Sequence, residues 1–301
     1  MTSGFGERHV SLCGIIRSMS AATTPATLTV APRGGMITVA RIYWAVIALI
    51  GTLSLVVSLA ISATAQGNGG ALNGMIFTLS YFTVWSNIFA FIIAWALAAD
   101  PTRDGKGFRW LRMTSLVMIV ITGLIYAILL APYANPQGID VYTNLGFHYI
   151  VPWATLLGFL LFGPRPRFTW NLVPTMMIIP VLWLIYTLVH GAVQTQPPAR
   201  ALPLVDGAEQ TAQGAAQNWY PYPFIDVNDP SAIIPGLKGE GYGGVAINLV
   251  VVIILGLLFA TIFLGLDRLL SKGQKPTPLT GDSPMKAQDA PVSHSDGIGP
   301  N

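Results

Sequence analysis

Charge is what this chain has least of. Lys, Arg, Asp and Glu together make up 10% of its 301 residues, against about 25% in soluble globular domains. With 52% hydrophobic residues and a mean hydropathy of +0.58, that scarcity excludes an ordinary soluble protein. Cysteine is nearly absent as well. The single Cys13 excludes a fold stapled by internal disulfides, and one thiol says nothing firm about redox compartment. The formal net charge of +3 is too small to imply a nucleic-acid partner. No internal repeat is visible, so the inverted-repeat signature of many transporters is missing.

What the chain does have is long apolar runs. Crossing the roughly 30 Å hydrocarbon core takes about 20 apolar residues, and six stretches approach or exceed that length. They are Ile42 to Ile61, Met75 to Ala98, Thr114 to Ala131, Phe147 to Phe162, Leu172 to Val189 and Val245 to Leu266. The fourth is the shortest and could reach back to Thr143. Within those limits no residue is charged; Arg41, Asp100 and Asp267 stand just outside. The reading is an all-α integral membrane protein with six transmembrane helices in one bundle.

The basic residues set the expected orientation. Arg8, Arg17, Arg33 and Arg41 precede the first run. Arg103, Lys106, Arg109 and Arg112 join the second to the third, Arg165 and Arg167 follow the fourth, and Arg268, Lys272, Lys275 and Lys286 follow the sixth. The remaining connections hold only Arg200 and Lys238. Because Lys and Arg stay on the cytoplasmic side during insertion, both termini are expected in the cytoplasm and the protein in the inner (plasma) membrane. Residues 1–35 and 273–301, rich in Ser, Thr, Gly, Pro and Asp, are expected to be disordered tails around a membrane domain at 36–272. Met19 and Met36 are alternative starts, and no signal-peptide pattern stands out.

With no charge in the runs, neutral polar residues become informative, since an unpartnered polar group in hydrocarbon costs several kcal/mol. The second run carries Ser80-Tyr81-Phe82-Thr83-Val84-Trp85-Ser86-Asn87. Ser80, Thr83 and Asn87 share one helical face, and Thr83 is expected about 12 Å below the outer boundary. His148 lies near the outer end of the fourth run and His190 ends the fifth. Histidine suits proton transfer near neutral pH. Pro152, four residues after His148, removes the N–H that would bond the His148 carbonyl, so the helix should loosen there. Asn144, four residues before, shares the histidine's face and could orient its ring.

Each of these has a plainer reading. A membrane threonine commonly bonds its own backbone or a neighbouring helix, and a histidine at a helix end is commonly interfacial. No Cys, Asp or Glu at ligand spacing joins the two histidines, so no metal or other cofactor is implied. The outer connection from Gly191 to Gly244 contains Trp219-Tyr220-Pro221-Tyr222-Pro223-Phe224. It reads equally as an aromatic belt at the headgroups or as a lid over an outward-opening cavity.

The run Tyr81-Phe82-Thr83-Val84-Trp85-Ser86-Asn87, followed by Asn144 and His148 opening a fourth helix, resembles the androgen-induced gene and androgen-dependent TFPI-regulating protein family. The Trp219–Phe224 segment looks like that of its bacterial branch, the six-helix Pr-type membrane proteins. The resemblance covers roughly residues 40–270. Animal members are intramembrane threonine hydrolases that cleave fatty acid esters of hydroxy fatty acids. By position, the resemblance implies Thr83 as nucleophile and His148 as base, and gives His190 no role; the outer loop is longer here than in an animal member.

Chemically, a threonine hydroxyl needs an adjacent base, and with no carboxylate in the runs a neutral group such as Asn144 must orient the histidine. Ser80, Ser86 and Asn87 are candidate supporting or oxyanion groups. His190, Trp219, Tyr220, Tyr222 and Phe224 are candidate cavity or lid residues. The expected partner is a membrane lipid or lipid-like ester. Two other classes stay open, a non-catalytic binding or transport protein for a lipid or small neutral molecule and a structural partner of another membrane protein.

Overall fold

The computed structural model describes residues 34–65, 70–162, 165–193, 218–228 and 230–271. The expected disordered tails, apart from their inner ends, lie outside these residues, as does the 194–217 part of the long connection. Among the described residues the fold is helical, and six helical stretches are long and apolar enough to cross a membrane: Gly35–Thr64, Phe82–Ala99, Lys106–Tyr133, Asp140–Leu161, Leu172–Val193 and Gly241–Leu270. They are called the first to sixth spans below.

Among the described residues eight α-helices build the spans, and a ninth, short one stands before the second span. The first is α1 (Gly34–Thr64). A short α2 (Ala71–Leu79) precedes α3 (Phe82–Ala99). The third span is α4 (Lys106–Ile125), continued by a π-helical turn at Tyr126–Leu130 and a 3₁₀ turn at Ala131–Tyr133. The fourth is α5 (Asp140–Leu145), a π-helical turn at Gly146–Ile150, and α6 (Val151–Leu161). The fifth is α7 (Leu172–Thr175) and α8 (Ile178–Val193), and the sixth is α9 (Gly241–Leu270).

The third span is the hub. In its most apolar window 67% of residues are buried, against 22–39% in the other five. Against it pack α3, α6 and α9, with α1 laid on α3 and α6, and small residues are set against large ones. Ala40, Ala48, Ala90, Ala94 and Ala260 are buried beside Trp44, Met113, Val117, Phe159 and Phe263. Small interfacial residues let helix backbones approach closely where hydrophobic burial gives little driving force. Outward-facing side chains are apolar too: Met36, Val39, Ile42, Val46, Leu49, Leu53 and Val56 form an exposed stripe along α1 at helical spacing. An apolar exterior of that extent fits hydrocarbon as solvent.

Several spans outrun their apolar limits. The sixth starts at Gly241 and includes Asp267, and the fifth runs to Val193, so both ends of the Gly191–Gly244 stretch expected as loop are helical. Asp267 is buried, and its Oδ2 accepts the backbone N–H groups of Arg167 (2.6 Å) and Phe168 (2.9 Å). Nearby Arg109 donates twice to Asp104, each at 2.7 Å, and Arg167 also pairs with Asp104. Buried charge here is matched by charge or by N–H donors, as burial requires.

Candidate functional site

The second apolar run, expected as one helix, is broken. α2 stops at Leu79, Tyr81 is extended (φ −74°, ψ 134°), and α3 restarts at Phe82. No Pro or Gly punctuates the break; side chains from elsewhere hold it open. The Trp85 indole N–H donates to the Leu79 carbonyl at 2.7 Å, and the Trp183 indole N–H, from α8, donates to the Ser80 carbonyl at 3.0 Å. The Ser80 hydroxyl donates to the Ile76 carbonyl (2.8 Å) and meets the Tyr186 hydroxyl (2.9 Å). Carbonyls orphaned at the end of α2 are thereby satisfied. A broken helix at membrane depth is tolerated where it is buried or lines a cavity.

Thr83 sits in the first turn of α3, buried, with the positive end of that helix dipole behind it. Its backbone N–H donates to the Tyr222 hydroxyl oxygen at 3.1 Å, and its Oγ1 lies 3.2 Å from the same hydroxyl. From the other side His148 Nε2 approaches Oγ1 to 3.3 Å. His148 Nδ1 is 2.9 Å from Asn144 Oδ1. Since that oxygen only accepts, Nδ1 carries the proton and Nε2 turns its lone pair to the threonine. The ring stacks on Tyr126, centroids 3.7 Å apart and planes 14° from parallel. Both stacked rings belong to π-helical turns, Tyr126–Leu130 and Gly146–Ile150. The second of these is the loosening expected upstream of Pro152.

Ser86 and Asn87 brace this arrangement from behind. Ser86 Oγ donates to the Thr83 carbonyl (2.9 Å) and pairs with Thr122 Oγ1 (2.8 Å). Asn87 Nδ2 donates to the carbonyls of Thr83 (2.8 Å) and Phe147 (3.1 Å), tying α3 to the histidine's turn. Their donors therefore point at backbone, away from any group arriving in front of Thr83. On the other side of Thr83 the polar groups are the Tyr222 hydroxyl and the Thr83 N–H that it accepts.

Tyr222 arrives on the segment 218–228, which is docked. Trp219, Tyr220, Tyr222 and Ile225 are buried, and Phe224 is half-buried. Trp219 meets Phe77 edge-on at 4.7 Å, and Tyr222 meets Tyr81 at 5.7 Å and stacks on Phe224 at 5.2 Å. Asn248 on α9 clamps the segment, donating to the carbonyls of Phe224 and Ser231 (2.8 Å each) and accepting the Ile233 N–H (3.1 Å). Burial pushes the Tyr222 phenol above the usual tyrosine range, against the lowering effect of its bonds to Thr83, so it stays protonated and able to donate.

His190 stands apart. It stacks near Tyr186 (5.4 Å) and faces Phe77 and Trp219 edge-on, and neither ring nitrogen has a hydrogen-bond partner among the described residues. Among the described residues no three His, Cys, Asp or Glu side chains gather as a metal site.

An almost wholly apolar cleft leads away from Thr83. Its walls come from α3 (Phe82, Thr83), the third span (Val117 to Leu130), the fifth (Met176 to Leu184) and the sixth (Leu249 to Gly256), with Tyr222, Phe224 and Ile225 over one end. Its enclosed volume is about 100 Å³. Val181 on the fifth span and Ile253 on the sixth line the cleft and keep part of their side chains exposed.

Position along the chain revealed the Thr83, His148 and Asn144 trio; it did not reveal Tyr222 as a direct partner of Thr83, or Tyr126 beneath the imidazole. Comparison with protein-family models, curated proteins and solved structures finds no match for this chain.

Proposed function

We propose that this protein is an intramembrane hydrolase of lipid esters, with Thr83 as nucleophile and His148 as general base. The observation carrying this reading is the 3.3 Å approach of His148 Nε2 to Thr83 Oγ1, with the far ring nitrogen held by Asn144. A nucleophile, a base within reach and a group orienting that base form the arrangement by which a weak hydroxyl is activated. A binding or transport protein needs no such contact.

In this mechanism the Thr83 oxygen attacks the ester carbonyl while its proton passes to His148 Nε2. The carbonyl oxygen becomes an oxyanion, which takes a hydrogen bond from the Tyr222 hydroxyl, whose own oxygen goes on accepting the Thr83 N–H at the head of α3. To do so, the tyrosine turns its O–H from Thr83 Oγ1 to the substrate. The C–O bond to the leaving alcohol breaks, and His148 returns the proton to that alkoxide. Water, deprotonated by the same nitrogen, then cleaves the acyl-threonine to release a carboxylic acid. No carboxylate takes part; Asn144 fixes the imidazole, and the imidazolium is transient.

The cleft would hold an ester with its acyl portion along the apolar walls. The basic-residue distribution supports a cytoplasmic position for both termini and thus an inner-membrane site on the outer half of the bundle. Purified protein in detergent should hydrolyse water-dispersed lipid esters, and His148→Ala should lower kcat by about 10²- to 10⁴-fold. Undiminished turnover in a folded His148→Ala protein would exclude the base assignment.

A further inference from the structure

The dimensions of the cleft carry the reading further. It runs from the Thr83 end, beneath Tyr222 and Phe224, to Val117, Met176 and Gly256 at the other. On the third span Tyr126 to Val117 is nine steps, about 13 Å of helix, and the corresponding stretches cover about 12 Å on the fifth span and about 10 Å on the sixth. An enclosed volume of about 100 Å³ along that length suits one extended alkyl chain and not two side by side. With C–C bonds of about 1.5 Å in zigzag, the length takes roughly eight to ten carbons.

Gly256 closes the far end. A Cβ there would lie 3.6 Å from Met176 Cε and Met177 Sδ and 3.7 Å from Ile121 Cδ1, ordinary contact with the flexible ends of three side chains. Alanine therefore fits, while a larger side chain must project along the channel.

We infer that the cleft is a single-chain acyl channel and that Gly256 sets the length it accepts, making the substrate an ester of a medium-length, single-chain fatty acid. This rests on the hydrolase reading for turnover, but occupancy of the channel does not.

Two measurements separate the claims. The first is turnover of p-nitrophenyl esters from two to sixteen carbons by wild type, Gly256→Ala and Gly256→Leu, read as the ratio of long- to short-chain kcat/KM within each protein. Wild type should peak near eight to ten carbons. Gly256→Ala should shift the peak shorter by one or two carbons, and Gly256→Leu should cut the ten- to four-carbon ratio at least tenfold, the scale at which apolar pockets discriminate chain length. An unchanged length profile in both variants overturns the inference while leaving the hydrolase intact.

The second is photo-cross-linking of a decanoate ester with a diazirine at its chain end. Labelled peptides should include 176–184 or 249–256, and labelling there should fall at least tenfold in Gly256→Leu. If wild type hydrolyses no ester of any length, the hydrolase reading fails and cross-linking alone decides the channel. Labelling elsewhere, or equal labelling of wild type and both variants, refutes it.

Discussion

At the scale of single residues the site is a relay of hydroxyl, imidazole and carboxamide, with a phenol in front. Tyr222 is the member whose role is most exposed to test, because its hydroxyl accepts the Thr83 N–H and contacts Thr83 Oγ1. Tyr222→Phe keeps the ring, its stacking on Phe224 and the docking of the segment, and deletes one donor. Turnover should fall about 10²- to 10³-fold with KM little changed, the cost of removing one oxyanion donor. The pH profile follows from the raised phenol pKa. A folded-state value above that of a free tyrosine keeps the proton on Tyr222 where a free phenol would lose it. The donor thus persists as pH rises through 10, and no alkaline loss of kcat should come from this group below that pH. Thr83, His148 and Asn144 were legible in the sequence because polar residues are costly in apolar helices and proline marks a loosened turn. Tyr222 as a partner was not: 139 residues separate it from Thr83, and its neighbours Trp219 and Tyr220 have the same composition signal.

Among the elements, the informative features are departures from regular helix, three of which gather at the site. The α2–α3 break frees the Thr83 N–H, and the two π turns seat Tyr126 and His148 against each other. The six runs were readable because hydrocarbon demands uninterrupted apolar length. The break was not, since Trp85 and Trp183 donate to its carbonyls through contacts that no local pattern encodes. The third and fourth spans meet at Gly123, where an added Cβ would stand 2.8 Å from Pro152 Cβ and 3.4 Å from the His148 carbonyl oxygen. Gly123→Ala should push the histidine's turn away from the bundle centre, destabilising the protein by about 1–3 kcal/mol and lowering kcat more than it raises KM. Thermal unfolding in detergent and steady-state kinetics on the same preparation check both parts. An alanine variant of wild-type stability and turnover would show that the spans tolerate wider separation there.

For the molecule as a whole, scarcity of charge organises both placement and chemistry. The described charged side chains cluster towards the ends of the spans. At one end Asp104 and Asp267 meet Arg109 and Arg167, so the helices reach past the apolar limits visible in the sequence. The orientation expected from the basic residues is testable with the single cysteine as an asset. In a Cys13→Ser background, cysteines introduced at Ser231 and at Thr102 should behave oppositely in intact cells: Ser231→Cys labelled by a membrane-impermeant maleimide, Thr102→Cys protected until the cells are lysed. The reverse pattern would invert the topology and place the Thr83 site nearer the cytoplasm. A bundle without a carboxylate at its reactive centre leaves hydroxyl and imidazole to carry the reaction. The most direct test of that claim is labelling by a fluorophosphonate probe. Wild type should be labelled covalently at Thr83, and Thr83→Ala, folded and eluting as wild type does, should lose the label. Equal labelling of the two proteins, or none of wild type, would contradict the account.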